Sequence, residues 1–294
     1  MLVYNPAAGQ RNLTASLEAI ARRMPKAGLD LTLMPSRSPA DSRERVRVAI
    51  REGAQLIAVC GGDGTINSVA VELAGTGVPL GILPAGTTNV LARDLEIPRS
   101  LPRAADVLVH GVPLTISLGL AGQHRFLMMA GFGFDAVVMS RHSPFLKRWF
   151  GRTAIAARCA EEMLRFSPPG VRVRSGSTEI EGSLAIAANI RLYGGEFIVA
   201  PEADPTDDVL DIVVFRGSSR ADYARYFAAM LQGRLHRLPD VVTIKSSKAL
   251  IEASGNVPVP GQVDGDTILQ TPVEVSVEPR VVTVLVPRNS RYVR

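Results

Sequence analysis

The sequence predicts an α/β protein whose second half is all-β: an N-terminal Rossmann-like parallel sheet with flanking helices, then an antiparallel β-sandwich. Three observations predict it. Short apolar runs alternate with helical patterns up to about Pro113, which implies βαβ units on a parallel sheet. Two of those runs end in glycine-bearing loops, Gly61-Gly62-Asp63-Gly64 and Ala85-Gly86-Thr87-Thr88-Asn89. Beyond Pro113 the pattern becomes short strands divided by turn signals such as Ala121-Gly122 and Tyr193-Gly194-Gly195, the grammar of antiparallel sheet. The change of grammar divides the chain into an α/β domain over 1–113 and a sandwich over 114–280, and the last strand, Val281 to Val286, fits either.

Taken in order, Leu2-Val3-Tyr4 is a very short strand, followed by the turn Asn5-Pro6-Ala7-Ala8-Gly9. A helix runs from about Leu13 to Met24, with Asn12 or Thr14 as its cap. Leu29 to Met34 alternates as a second strand, Ser36 to Pro39 is a loop, and Asp41 caps an arginine-rich helix through Ile50. Leu56 to Cys60 is continuous, apolar and partly β-branched, which suits a strand buried on both faces. Ile66, Val69, Ala70 and Leu73 then fall at helical spacing. Pro79 to Pro84 is the next strand, and Val90 to Asp94 and Leu101 to Val109 are helices. In the second half Thr115 to Leu120, Arg125 to Ala130, Val171 to Arg174, Glu179 to Ile190, Leu210 to Phe215, Val241 to Ile244 and Ala249 to Glu252 read as strands. Two helices, about Gly151 to Phe166 and Arg220 to Gln232, interrupt them.

Composition narrows the function. The 294 residues are 46% hydrophobic, enough for sizeable cores. No run of about 18 apolar residues suggests a transmembrane helix, and the first residues lack the basic and apolar regions of a secretory signal. Cys60 and Cys159 have no metal spacing and fit a reducing cytosol, and four scattered histidines make a zinc enzyme a poor fit. The net charge of +5 suits a polyanionic partner. With 5% aromatics and no RNA-binding or zinc-finger pattern, nucleic acid is the weakest choice, behind an anionic membrane surface or nucleotide phosphates.

The organising stretch is Gly61-Gly62-Asp63-Gly64-Thr65-Ile66-Asn67. Strand, glycine turn and helix aim main-chain N–H groups and a helix N-terminus at an anion. Asp63 would repel a phosphate unless Mg²⁺ lies between them or the carboxylate handles a proton. The pattern therefore suggests a metal–nucleotide site, against the plainer reading of a tight turn with a solvated cap.

These segments together resemble the diacylglycerol kinase catalytic family, and within it the soluble bacterial lipid kinases. Asn5-Pro6-Ala7-Ala8-Gly9, the Gly61–Asn67 turn, Gly81 to Asn89, Gly131-Phe132-Gly133-Phe134-Asp135, Tyr193-Gly194-Gly195, Ala200-Pro201-Glu202-Ala203 with Asp207 to Asp211, and Val263-Asp264-Gly265-Asp266 match its motifs in order. The resemblance implies a nucleotide-binding domain and a β-sandwich with the active site between them, the segment 281–294 returning to the first domain. It also implies an ATP- and Mg²⁺-dependent kinase acting on a lipid hydroxyl, diacylglycerol-like by default, cytoplasmic and peripherally associated with a membrane; a homodimer is compatible with the chain. Gly61, Gly62, Asp63, Gly64, Thr65, Asn67 and Thr87 take the ATP phosphates, and Asn5, Pro6, Gly9 and Ser36 the ribose and base side. Asp63 acts through Mg²⁺ or near the acceptor hydroxyl, and Asp266 is the general base. Asp207 holds a structural Mg²⁺, helped by the carbonyls of Asp204 and Val209.

Four departures from the family stand out: Asp266 for the usual Glu, Asp208 for a glycine, Val90 for an Asp, and a start very close to Asn5. There is no G-x-x-x-x-G-K-[ST] and no H-R-D, which excludes P-loop enzymes and protein kinases. The nearest enzyme alternative is an NAD kinase; a catalytically weak nucleotide- or lipid-binding regulator is the non-enzyme alternative. Without the resemblance, Asp264-Gly265-Asp266 reads as a hairpin turn and Asp204 to Asp211 as a solvated acidic loop. Asp135 reads as a local cap. The run Arg141 to Arg152 mixes cations with Phe145, Leu146, Trp149 and Phe150, which suits either a membrane-docking element or a helix burying its aromatics.

Overall fold

The computed structural model describes residues 1–6, 13–134, 136 and 170–293. Expectations that fall on Gly9, Asn12, Asp135, Arg141 to Arg152, Cys159 and the helix at 151–166 lie outside the described residues.

Four parallel strands, β1 (Leu2–Tyr4), β2 (Leu33–Pro35), β3 (Ile57–Gly61) and β4 (Leu80–Pro84), lie in the order β2-β1-β3-β4. Every residue of β1, β3 and β4 is buried, which is why the runs are continuously apolar rather than alternating. Between them run α1 (Leu13–Arg23), α2 (Pro39–Arg51) and α3 (Asp63–Leu73); α4 (Val90–Asp94) and α5 (Leu101–His110) follow β4. Helix α2 packs on α3, and α1 on α5. This is the layering of right-handed crossovers that step out from β1 to β2 and back past β1 to β3.

Local corrections are small and physical. Ser38, not Asp41, caps α2: its hydroxyl accepts the Asp41 N–H at 3.1 Å, with Pro39 at the first helical position. Asp41 instead accepts the Arg37 N–H at 2.8 Å. Strand β2 begins later than the expected Leu29 and ends at Pro35; α1 runs on into a 3₁₀ turn, Met24–Ala27, closed by Gly28 at φ 78°, and the Leu29 N–H still donates back to Met24 O at 3.1 Å.

The last strand reaches much further back than Val281. β18 (Val273–Val286) lies parallel to β4 at Val284↔Leu80 and antiparallel to β5 (Val112–Ala121) along its length. Its first residues also pair with β15 (Lys248–Ala253). One ten-stranded sheet thus continues from the parallel strands into the sandwich, ending in β8 (Val171–Ser175) and β9 (Thr178–Gly182), with β6 (His124–Phe126) on β5. The register slips between Glu278 and Val282, where Arg280 takes φ 49° and donates its N–H to Ser117 Oγ at 3.0 Å. Glu278-Pro279-Arg280 breaks the apolar alternation, so one long bulged strand reads as a loop before a short one.

The second sheet has the order β14-β13-β10-β7-β16-β17. Its strands are β7 (Met129–Gly133), β10 (Leu184–Ala188), β13 (Leu210–Phe215), β14 (Val241–Ser246), β16 (Pro260–Val263) and β17 (Asp266–Gln270). Phe126, Phe132, Val173, Ile212, Ile251 and Val275 fill the space between the sheets. The expected single strand Glu179 to Ile190 is two strands in different sheets. The chain turns the corner at Ser183, whose N–H donates to Phe215 O at 2.8 Å and whose hydroxyl donates to Gly217 O at 2.5 Å. On the outer face α6 (Arg220–Leu231), opened by a Ser219/Asp222 capping box, buries Tyr223 and Tyr226 against Phe134 and Phe215.

Candidate active site

The residues assigned to the nucleotide gather at one edge of the parallel sheet. Asn5 and Pro6 follow β1, Ser36 follows β2, Gly61 ends β3, Gly62 to Asn67 run into α3, and Thr87 follows β4. In the order β2-β1-β3-β4 the crossovers reverse between β1 and β3, and open α/β sheets take ligands at such a switch point, outside the strands' carboxyl ends.

Gly62 caps α3, its carbonyl accepting the N–H groups of Thr65 and Ile66 at 3.0 Å each. The amides of Asp63 and Gly64 have no acceptor among the described residues, so the first turn of α3 presents free donors at the positive end of a helix dipole. The turn lies against the loop after β4, main chain on main chain: a Cβ on Gly86 would stand 2.5 Å from Gly62 Cα. Asn89, at φ 50°, accepts the Gly86 N–H with Oδ1 at 2.9 Å and donates Nδ2 to Gly86 O at 2.7 Å. Asp63 ties the loops together, accepting the Thr88 hydroxyl and the Val90 N–H at 2.7 Å each. Val90, in place of the family's Asp, serves here through its main chain.

Thr87 is exposed, while Thr88 is committed to Asp63. Asn67 Oδ1 is buried with no hydrogen-bond donor, an orphan acceptor beside the turn. Ser36 is 1% exposed and faces inward, donating to Tyr4 O at 3.3 Å and accepting from Ser42 at 2.9 Å. Its hydroxyl shapes the loop after β2 rather than pointing outward.

The second half supplies two turns. Asp264 (φ 48°) and Gly265 (φ 96°) make a two-residue hairpin loop between Val263 and Asp266, the positive-φ pair that Asp-Gly favours. The turn-chemistry reading thus holds for these two residues, and Asp266 stands exposed at its end. The Asp264 carboxylate accepts the N–H groups of Leu127, Met128 and Met129 at 2.7, 3.0 and 2.9 Å. Burial pushes its pKa up to about 6 against the pull of those amides, and the charge of Asp63 adds to the rise. Helix α3 lies against β6, and the residues that follow β6 hold Asp264, so the two turns sit on neighbouring elements. In the second turn, β11 (Leu192–Tyr193) and β12 (Phe197–Ile198) form a hairpin; a Cβ on its Gly195 would lie 3.8 Å from Thr88 Cγ2, and its Glu196 pairs with Arg93 of α4.

Asp207 lies away from these turns. Its Oδ1 accepts the Val209 N–H at 3.2 Å, and its N–H donates to Asp204 O at 3.1 Å. With Asp204 and Arg280 it lines an open cavity of about 610 Å³. Lys245 Nζ stands 3.8 Å from Asp207 and 3.2 Å from the buried Asp211, whose carboxyl is raised by burial first. Arg280, 3.4 Å from Asp208, is a second cation, and the two against Asp204, Asp207, Asp208 and Asp211 leave a net negative loop that fits a divalent cation. Among the described residues no three His, Cys, Asp or Glu side chains converge as a metal cluster. An ion here would therefore rest on Asp207, main-chain carbonyls and water.

A parallel sheet with a glycine turn after β3, continued into an antiparallel sandwich that carries an Asp-Gly-Asp hairpin, defines a phosphotransferase class of fold. Residues 1–121 match the model of the diacylglycerol kinase catalytic domain, and residues 129–286 that of the YegS C-terminal NAD kinase beta sandwich-like domain. A diacylglycerol kinase of Mycobacterium tuberculosis is 33% identical over 296 residues, 97% of this chain and 94% of that one. A diacylglycerol kinase of Bacillus subtilis is 26% identical over 86% of this chain and 85% of its own. A crystal structure of a diacylglycerol kinase from Bacillus anthracis matches with a TM-score of 0.75 at 21% identity, over 97% of this chain and 95% of that chain, a likeness of fold. The chain belongs to the diacylglycerol kinase catalytic-domain family of lipid kinases.

In the sequence Asp264 is legible only as a turn residue, and Thr88, Asn89 and Glu196 carry no visible role, although all but Glu196 sit inside family motifs. Their work is to hold loops, and only contacts reveal that.

Proposed function

We propose that this chain transfers the γ-phosphoryl group of Mg²⁺-bound ATP to the hydroxyl of a diacylglycerol-like lipid. The observation that carries the reading is the contact between the halves beside the glycine turn: Thr88, bonded to Asp63, meets the Gly195 hairpin, and Arg93 of α4 pairs with its Glu196. The free amides of Asp63 and Gly64, with exposed Thr87, bind the triphosphate from the helix end. The Asp63 carboxylate and the orphan Asn67 Oδ1 are the hard oxygen donors that suit Mg²⁺, which when bound offsets charge on the transferring group. Asn5, Pro6 and the loop shaped by Ser36 flank the nucleoside side. Asp266, a solvent-exposed carboxylate, accepts the lipid hydroxyl proton as the new P–O bond forms and the bond from the γ-phosphorus to the ADP oxygen breaks. Asp264 holds the Asp266 turn on β7.

A diacylglycerol-like acceptor resides in a bilayer, so the proposal places the transfer at a membrane surface; among the described residues no helix is long and apolar enough to cross a membrane. The test is radiolabelled ATP offered to mixed micelles of several lipid alcohols, with NAD as a soluble acceptor. Label should enter the lipid, and Asp63→Asn and Asp266→Asn should each lower the rate by about 100-fold or more. Label in NAD instead, or undiminished transfer in both variants, would sink the proposal.

A further inference from the structure

Helix α4 is five residues long, too short to be stable on its own, and the residue that opens it, Asn89, sits at φ 50°. Something outside must hold it. Its first N–H is held by Asp63. Its last residue, Asp94, is fully buried, and two side chains close around it. The Tyr292 hydroxyl donates to Asp94 Oδ2 at 2.5 Å, and Arg191 Nη2 stands 3.1 Å from Oδ1. Arg191 Nε in turn donates to the Tyr292 oxygen at 3.2 Å, closing the triangle. Neighbouring residues of the C-terminal segment add two more ties: Ser290 Oγ donates to Leu95 O at 3.1 Å, and the Arg291 N–H to Glu96 Oε2 at 2.9 Å. Arg191 lies just before the β11–β12 hairpin, whose Glu196 pairs with Arg93.

We propose that Asp94, Arg191 and Tyr292 are positioning residues, a buried latch through which the C-terminal segment holds α4, and with it the Thr87–Thr88 loop, against the Gly194–Gly195 hairpin. A buried ion pair is a poor source of net stability, since well-packed apolar side chains often do as well. What it supplies is direction. The Tyr292 hydroxyl bonded to Asp94 and the Arg191 Nε bonded to Tyr292, with the guanidinium charge 3.1 Å from Oδ1, favour one relative setting of three segments that are far apart in sequence. The setting matters because α4 carries, at its other end, the groups bonded to Asp63. The bearing of the latch on turnover rests on the lipid-kinase reading; its geometry does not.

Tyr292→Phe keeps the ring and removes only the hydroxyl, and Asp94→Asn keeps the shape and removes the charge. Hydrogen exchange in each should quicken about 10-fold at amides 88–94 and 192–198 and stay unchanged in β3 and β13. The double variant should go little further than either single one, as coupled partners do. In the lipid assay kcat should fall about 10-fold with the KM for ATP nearly constant, the mark of lost positioning rather than lost binding. Unchanged exchange in both segments, or acceleration spread evenly through the molecule, overturns the latch. A wild-type chain that labels no lipid would overturn the proposed function and leave the exchange result to judge the latch alone.

Discussion

Asp264 is pulled two ways. Three main-chain amides favour its anion, whereas burial and the nearby Asp63 favour its neutral form, and the second pair wins. A carboxyl raised in the folded state contributes stability that is fully present below its unfolded pKa of 3.8 and is lost as pH rises through about 6. Urea unfolding across that window should therefore show the wild type gaining on Asp264→Asn as pH falls. At pH 7.5 the variant should be less stable by about 1–3 kcal/mol, because its amide nitrogen would face the Leu127 N–H. Asp63→Asn supplies a sharper check: removing that charge should lower the pH at which Asp264 titrates, followed by NMR of its side chain. An unmoved titration would mean that the two carboxylates do not sense each other.

Among elements, the glycine turn and the loop after β4 work as one unit because no side chain separates them. Gly86→Ala would drive a Cβ to 2.5 Å from Gly62 Cα, which only backbone movement can relieve. We expect a stability loss of about 1–3 kcal/mol and at least a 10-fold fall in phosphoryl transfer, read by thermal unfolding and the micelle assay. Gly64 offers the contrast, since a Cβ there meets no atom within 4 Å. Gly64→Ala should leave stability intact or raise it by up to about 1 kcal/mol, because alanine restricts the unfolded chain. Weakened ATP binding in that variant, measured by calorimetry, would then report on the approach of the ligand itself. ATP affinity equal to wild type would show that the first turn of α3 does not touch the triphosphate.

At the scale of the molecule, β18 is the strand that makes the two halves one structure. It pairs with β4 of the parallel set, with β5 along its length and with β15 of the sandwich. Removing residues 280–294 would strip β4 of its neighbour and expose an apolar sheet edge. A chain stopped at Pro279 should fail to unfold cooperatively, checked by circular dichroism and limited proteolysis. A sharp transition from the truncated chain would mean that the parallel sheet stands without its C-terminal partner.

The alternation of buried runs and helices, the switch to antiparallel strands after Pro113, and the edge on which Asn5, Gly62 and Thr87 gather were all legible in the chain. They follow from local pattern: buried parallel strands must be apolar throughout, and turns need particular residues. The tertiary structure alone decided that β18 begins at Val273, that the strand after Glu179 changes sheets at Ser183, and that Ser36 turns inward. It alone joined Asp94, Arg191 and Tyr292, because hydrogen bonds between residues 101 and 198 apart leave no period in a sequence. Whether Asp264 feels Asp63 is likewise a matter of how the two sheets meet, which no run of neighbouring residues encodes.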